Sequence, residues 1–261
     1  MMYLYIPRYI ETLPVTVISS NAFENCPELK YVFLPRTFQG VEIINTLTQN
    51  VDVNSELMNA SGVTVKKHIA DGSKEYTTVT AVDASPFGNC PKLQQIDVDE
   101  NNEYYYSEDG ILYTYGKYAS EKDENAEKYY SLVLLKYPQN HSGTVFSVPD
   151  YVTHIGTGNR YNEFINDPYN ANAFYGCKNL KEVTLPKEVT YIHEGEFSDN
   201  KVTLYVSKDS YAHKYAVDHE LKYEVIHIPG DVDITVYGES QAVFTVEHQE
   251  FCLIFTMTQV N

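Results

Sequence analysis

The chain has 261 residues, 43% of them hydrophobic and 21% charged, which suits a packed protein and not a disordered one. Its 19 Lys and Arg against 36 Asp and Glu leave a net charge of −17, so phosphate backbones and anionic lipid headgroups are repelled and nucleic acid is disfavoured as a partner. No stretch approaches the roughly 18 apolar residues of a membrane-spanning helix, so no membrane insertion is expected, and the opening Met-Met-Tyr-Leu-Tyr-Ile-Pro shows no export signal.

In chain order, the first element is Leu4-Tyr-Ile6-Pro7, a short apolar alternation closed by a proline that removes a ladder donor and turns the chain. Next comes Phe23-x-x-Cys26-x-x-Leu29-x-x-Val32-x-Leu34-Pro35, where apolar residues recur every three positions and then every two. That change of period predicts a tight helical turn running straight into a short strand. The pattern returns as Phe87-x-x-Cys90-x-x-Leu93-x-x-Ile96-x-Val98 and as Phe174-x-x-Cys177-x-x-Leu180-x-x-Val183-x-Leu185-Pro186. One such unit cannot cover its own apolar face, so several must stack into a solenoid.

The distances between copies exceed one repeat, so insertions interrupt the array. The first, at about 45–80, holds Val63-Thr-Val65 and Tyr76-Thr-Thr-Val79 around Asp71-Gly72, a hairpin signal. The second, at about 104–138, carries Tyr106-Ser-Glu-Asp109-Gly110-Ile-Leu112-Tyr113 and Tyr130–Pro138 as two or three strands extending the sheet, with a polar tip at Ser120–Lys128. Phe146-Ser-Val148-Pro149-x-x-Val152-x-x-Ile155 then repeats the frame of Val183-Thr-Leu185-Pro186-x-x-Val189-x-x-Ile192. Residues 156–170, rich in Gly, Asn and Asp, read as a third insertion and a loop.

Phe197 opens a shortened copy whose last strand is Val202–Val206. Ser207–Tyr223 reads as a helix capped by Ser207 or Asp209, with Tyr211, Ala212, Tyr215 and Ala216 on one face. Such a helix would close the open end of a solenoid. The alternating runs of 227–261 predict further strands, either an extra sheet or a fragment of a further domain.

Three of the four cysteines, Cys26, Cys90 and Cys177, share one repeat phase. They read first as small buried hydrophobes beside a turn, with disulfide or redox roles as the alternative. No Cys-x-x-Cys occurs, and Asp97-Val-Asp99-Glu-Asn101-Asn-Glu103 lacks the glycine of a calcium loop, so neither metal nor cofactor is expected. His193-Glu194-Gly195-Glu196-Phe197 lacks the second histidine of a zinc-protease helix. Ser198-Asp-Asn-Lys201 has no companion motif, and Gly156-Thr-Gly158 has no third glycine. No catalytic set assembles, and the expectation is a protein that binds and does not catalyse.

Alternate residues of a strand face opposite sides. With Val32, Leu34, Ile96, Val98, Val183, Leu185, Val202 and Leu204 turned inward, the outward residues are Tyr31, Phe33, Gln95, Asp97, Glu182, Thr184, Thr203 and Tyr205. Aromatic and polar groups mixed on one rigid face make a candidate ligand-binding surface, the alternative being simply the wet side of a sheet.

The motifs Ala22-Phe23-x-x-Cys26-Pro27-x-Leu29-x-x-Val32-x-Leu34-Pro35 and Ala173-Phe174-Tyr-Gly-Cys177-Lys-Asn-Leu180-Lys-Glu-Val183-Thr-Leu185-Pro186 closely resemble BspA-like leucine-rich repeats. Tyr106–Tyr113 with Leu134-Leu-Lys-Tyr-Pro138, and Ser210-Tyr-Ala-His-Lys-Tyr-Ala216, resemble segments common in that family, and the likeness covers roughly residues 3–226. The resemblance implies an α/β repeat fold: a leucine-rich-repeat solenoid with a parallel concave β-sheet, β-hairpin insertions and a C-terminal capping helix plus extra strands. It divides the chain into a repeat region, 1–226, and a strand extension, 227–261. It also implies a secreted or cell-surface protein of a host-associated microbe, acting in adhesion through a protein partner on a host or microbial surface. It supplies no catalytic residues. Because tyrosine faces stack on sugar rings, a glycan is the other ligand to expect.

Overall fold

Each repeat signature folds as a tight turn feeding a strand, and the turn hydrogen bonds follow the three-residue period. Cys26 N donates to Phe23 O and Leu29 N to Cys26 O; Cys177 N donates to Phe174 O and Leu180 N to Cys177 O. Every third residue therefore falls on one side of the turn, which is why Phe, Cys and Leu can all point inward. The computed structural model describes residues 2–19, 22–23, 26–45, 63–70, 74–81, 86–87, 90–117, 130–156, 172–198, 201–226, 233–237, 241–246 and 249–254.

The strands that leave these turns pair in parallel. Tyr3–Tyr5, Tyr31–Leu34 and Gln95–Val98 form one sheet, with Tyr3 beside Tyr31 beside Gln95. Val145–Ser147, Glu182–Leu185, Thr203–Val206 and Tyr223–Val225 form another. The family resemblance implies one parallel sheet, and two wholly parallel sheets are found among the described residues. The division falls where the second insertion turns back on itself. Tyr105–Glu108 and Ile111–Lys117 are joined by the two-residue turn Asp109–Gly110, both at positive φ (50° and 76°), as a tight hairpin requires. Gly110 O accepts from Ile96 N at 2.9 Å, so the hairpin tip takes the place a neighbouring strand would occupy. A Cβ at Gly110 would come within 2.6 Å of Gln95 Cγ, so no other residue permits this approach.

A fourth copy of the signature begins where the second insertion ends. Tyr137-x-x-Asn140-x-x-Gly143-x-x-Phe146-x-Val148-Pro149 keeps every spacing, of which sequence reading recognises only the Phe146 half. Tyr137 stands where phenylalanine stands elsewhere, its ring centroid 5.6 Å from that of Phe174. Cys177 Sγ lies 3.4 Å from Tyr137 O, just as Cys90 Sγ lies 3.7 Å from Phe23 O. The repeat cysteine is thus a small buried group that donates to the preceding coil. Burial pushes the Cys90 thiol up to about 11, and none of Cys26, Cys90 and Cys177 is in a disulfide.

Two further sheets mix parallel and antiparallel pairs. Val17–Ser19 pairs in parallel with Gly40–Asn45, followed by the antiparallel pair Lys74–Ala81 and Val63–Ala70, the expected first hairpin. The second insertion supplies three antiparallel strands, Tyr105–Glu108, Ile111–Lys117 and Tyr130–Lys136, and Val152–Ile155 and Tyr191–Ile192 continue that sheet in parallel. The polar tip at 120–128, the turn Asp71-Gly72 and residues 157–170 of the third insertion lie outside the described residues. Asp233–Tyr237, Gln241–Val246 and Gln249–Ile254 make a three-stranded antiparallel sheet of their own.

The apolar interior is two clusters and not one ladder. Phe23 and Phe87 stack at 5.0 Å in the first, while Phe174 and Phe197 stack at 5.1 Å in the second. The strands Ile111–Lys117 and Tyr130–Lys136 form the wall between them. Leu112, Val133 and Leu135 face the first cluster, and Ile111, Tyr113 and Leu134 face the second.

The helix is shorter than the sequence suggests, Tyr211–Asp218, and its cap is Ser210, whose side chain accepts from His213 N. Asp209 sits at φ 60° and cannot open a right-handed helix, and Glu220 at φ 53° ends it. Ala212, Tyr215 and Ala216 are buried, whereas Tyr211 is exposed. The last member of the parallel sheet is the strand Tyr223–Val225, not the helix.

Buried polar groups tie the coils together. The Asn102 amide donates to Pro35 O and Phe38 O, and its oxygen accepts from Tyr104 N and Tyr105 N, all at 2.8–2.9 Å. Asp99, bonded by Asn101 N and paired with Arg8, is held below the usual carboxylate range. His193 is buried, its Nδ1 has no hydrogen-bond partner among the described residues, and desolvation lowers its pKa.

Leu180→Asp is expected to unfold the protein, at a cost upward of about 4 kcal/mol from an unpaired buried charge. Thr184→Asp, on the other face of the next strand, is expected to change stability by well under about 1 kcal/mol. Urea titration of the two variants checks the assignment, and equal losses would refute it. Asn102→Ala should cost about 2–4 kcal/mol by the same assay, because two carbonyls and two amides lose their partner. The neutral His193 stabilises fully above its unfolded value of 6.5 and progressively less as pH falls from there toward its lowered folded value. His193→Gln should therefore flatten the fall in melting temperature below pH 6.5, measured calorimetrically.

Candidate functional site

The outward face of the parallel strands is assembled by their register. Tyr31 pairs with Gln95 and Phe33 with Asp97 on the first sheet; Glu182 pairs with Thr203 and Thr184 with Tyr205 on the second. The eight residues singled out in the sequence thus form two groups of four, separated by the Asp109–Gly110 turn. Seven are partly exposed. Thr203 is the exception: it lies in an outward row but is only 7% exposed. It is short, it stands between longer neighbours, and the Lys222 backbone, whose carbonyl accepts from Leu204 N, runs alongside it.

The structure adds two aromatic residues to the first group. Tyr3 and Tyr5 are 64% and 61% exposed and stack on their strand neighbours, Tyr3 on Tyr31 at 4.4 Å and Tyr5 on Phe33 at 4.9 Å. Tyr31 is further fixed by its hydroxyl, which donates to Gln94 Oε1 at 2.6 Å. The signal for Tyr3 and Tyr5 was in the sequence: Leu4 and Ile6 turned inward place both tyrosines outward.

Beside this aromatic platform opens a cleft of about 550 Å³, lined by Gln95, Asp97, Ser107, Asp109, Gly110 and His141. Gln95 Nε2 donates to both carboxylate oxygens of Asp97, at 2.8 and 3.0 Å, and holds that group in place. His141 Nδ1 accepts from Gly143 N, which puts the ring proton on Nε2, where it donates to Asp109 O at 3.1 Å. Ser107 Oγ accepts from Val98 N. No sequence spacing joins Ser107, Asp109 and His141 to Gln95 and Asp97; only the folded insertion brings them together.

Across the cleft the second group continues with Val145 and Ser147, then Glu182, Thr184 and Tyr205, and ends at Glu224, which pairs with Tyr205. Partial desolvation, then the Glu182 and Glu224 carboxylates, raise the Tyr205 phenol above its ordinary value, so it stays a neutral hydroxyl. Counted along the described parallel strands, the outward positions carry Asp97, Glu182 and Glu224 and neither Lys nor Arg.

The remaining motifs are spent on structure. Glu196 is buried and accepts from Phe174 N at 2.6 Å, and Ser198 Oγ donates to Gly195 O within its turn. Among the described residues no group of three or more His, Cys, Asp or Glu is placed to hold a metal ion.

Comparison with known proteins agrees with the repeat reading. The family described as "BspA type Leucine rich repeat region" matches in six copies over residues 9–57 and 168–234. Solved structures similar to the chain include a leucine-rich repeat protein from Eubacterium ventriosum (20% identity, TM-score 0.43), matched over 79% of this chain and 37% of that one. Another is a leucine rich cell surface protein from Faecalibacterium prausnitzii (21% identity, TM-score 0.40), matched over 78% of this chain and 40% of that one. The chain thus spans about two-fifths of the length of these two proteins. No functionally curated protein matches it. With its turn-to-strand signature repeated at one phase and those six copies matched, the chain carries BspA-type leucine-rich repeats.

Proposed function

We propose that this chain is a non-enzymatic protein-binding module, an adhesion element of a microbial surface, that presents the outward face of its parallel strands to a protein partner. The observation that carries the reading is the pair of stacks Tyr3–Tyr31 and Tyr5–Phe33, four aromatic rings held on rigid strands and open to solvent on one side. Rings fixed in this way lose little freedom on binding, and large aromatic anchors carry much of the energy of protein interfaces. The match to the BspA-type repeat family supports a surface setting. In this reading residues 1–226 are the binding unit and 227–261 an appended strand region. Tyr31, Phe33, Gln95 and Asp97, with Tyr3 and Tyr5, form the first half of the contact surface, and Glu182, Thr184 and Tyr205 the second; Thr203 contributes at its margin.

A carbohydrate ligand is the second reading, favoured by the polar cleft of Gln95, Asp97 and His141 set directly beside the tyrosine stacks. Arrays of purified host and microbial surface proteins, run beside glycan and mucin arrays, separate the two. Saturable binding to a protein is expected, weakened by about 1–2 kcal/mol in Tyr31→Ala and again in Tyr205→Ala. Saturable glycan binding lost in the same variants would replace the first reading with the second.

A further inference from the structure

We propose that the partner recognised by this face is cationic: an extended protein segment carrying Lys or Arg, with its charged side chains seated over the Tyr3–Tyr31 and Tyr5–Phe33 rings and against the carboxylates of Asp97 and Asp109. The proposal rests on the protein-binding reading above and supplies the chemistry of what is bound.

Three observations carry it. The outward strand positions hold carboxylates and aromatic rings but neither Lys nor Arg. The faces of tyrosine and phenylalanine are electron-rich and attract a cation placed over them, so rings and carboxylates favour the same ligand charge. Cations around this surface are paired or stand off the strands: Arg8 pairs with Asp99, Lys92 with Glu28, and Lys30, Arg36, Lys181, Lys201 and Lys222 lie in the turns that flank the strands.

The arrangement is also repeated. Beyond the cleft, Tyr205 is paired with Glu224 and lies diagonally from Glu182, a second ring with carboxylates beside it. An extended segment of about ten residues reaches roughly 33 Å, enough to cross six strand spacings of about 4.8 Å and meet both clusters. The net charge of −17 draws such a segment in from a distance and repels an anionic one. A neutral sugar would cover Asp97 and Asp109 without compensating their charge.

The test uses the full chain and three fluorescent peptides of equal length, (Lys-Thr)5, (Gln-Thr)5 and (Glu-Thr)5, read by anisotropy, with cellohexaose as a competitor. Saturable binding of (Lys-Thr)5 alone is expected, falling several-fold between about 50 and about 300 mM salt. Asp97→Asn and Tyr31→Ala should each weaken it by about two- to fivefold. The exposed turn variant Glu188→Gln, off this face, should leave it unchanged, and all three variants should stay folded at the assay temperature, Tyr31→Ala melting earlier for want of its stack and hydroxyl bond.

No saturable binding of (Lys-Thr)5, equal binding of the three peptides, or equal effects of Asp97→Asn and Glu188→Gln would each overturn the proposal. A protein ligand that depends on Tyr31 and Tyr205 but ignores salt and Asp97→Asn would overturn it while leaving the protein-binding reading standing. Displacement by cellohexaose with no protein ligand found would overturn both.

Discussion

The architecture depends on a hairpin that is buried on both of its faces. Antiparallel strands ordinarily keep one side wet, but Ile111–Lys117 and Tyr130–Lys136 send Leu112, Val133 and Leu135 into one apolar cluster and Ile111, Tyr113 and Leu134 into another. Remove that wall and neither group of repeats keeps a closed interior, because each cluster takes part of its buried side chains from these two strands. The insertion is therefore no ornament on a regular array. It joins two short stacks, and its last residues lead into a further repeat that opens at Tyr137.

The same insertion shapes the candidate site. Its tip at Asp109–Gly110 stands where a strand would otherwise continue the sheet, and the cleft beside Gln95 and Asp97 opens at that interruption. An unbroken sheet would present only a flat ladder of side chains. Here an aromatic platform is followed by a polar recess and then by a second set of strands, so one surface offers stacking, hydrogen bonding and negative charge in sequence. None of these groups needs to move, because Gln95 holds Asp97 and Gln94 holds Tyr31.

Much of this was legible before any coordinates. The three-residue and two-residue periods in Phe23–Leu34, Phe87–Val98 and Phe174–Leu185 state the turn, the strand and which side is inward, because each period is a property of local backbone geometry. The helix bounds were less legible, since Asp209 can be a cap by residue type and yet take a left-handed conformation that prevents it. The fourth copy is hidden in the sequence because Tyr137, Asn140 and Gly143 replace Phe, Cys and Leu: the spacing persists while the residue types do not. The smallness of Thr203's exposed area is set by what lies beside it, which a strand pattern does not state.

By itself the sequence determined the repeat unit, its inward residues, the outward ladder from Tyr31 to Tyr205 and the acidic balance of the surface, all of which follow from composition and from periods a few residues long. Only the tertiary structure decided that the strands divide into two parallel sheets, that the core is double, and that Ser107, Asp109 and His141 meet Gln95 and Asp97 in one cleft. The reason is range. A period is written in neighbouring residues, whereas the place where an inserted hairpin comes to rest depends on which distant apolar faces remain to be covered.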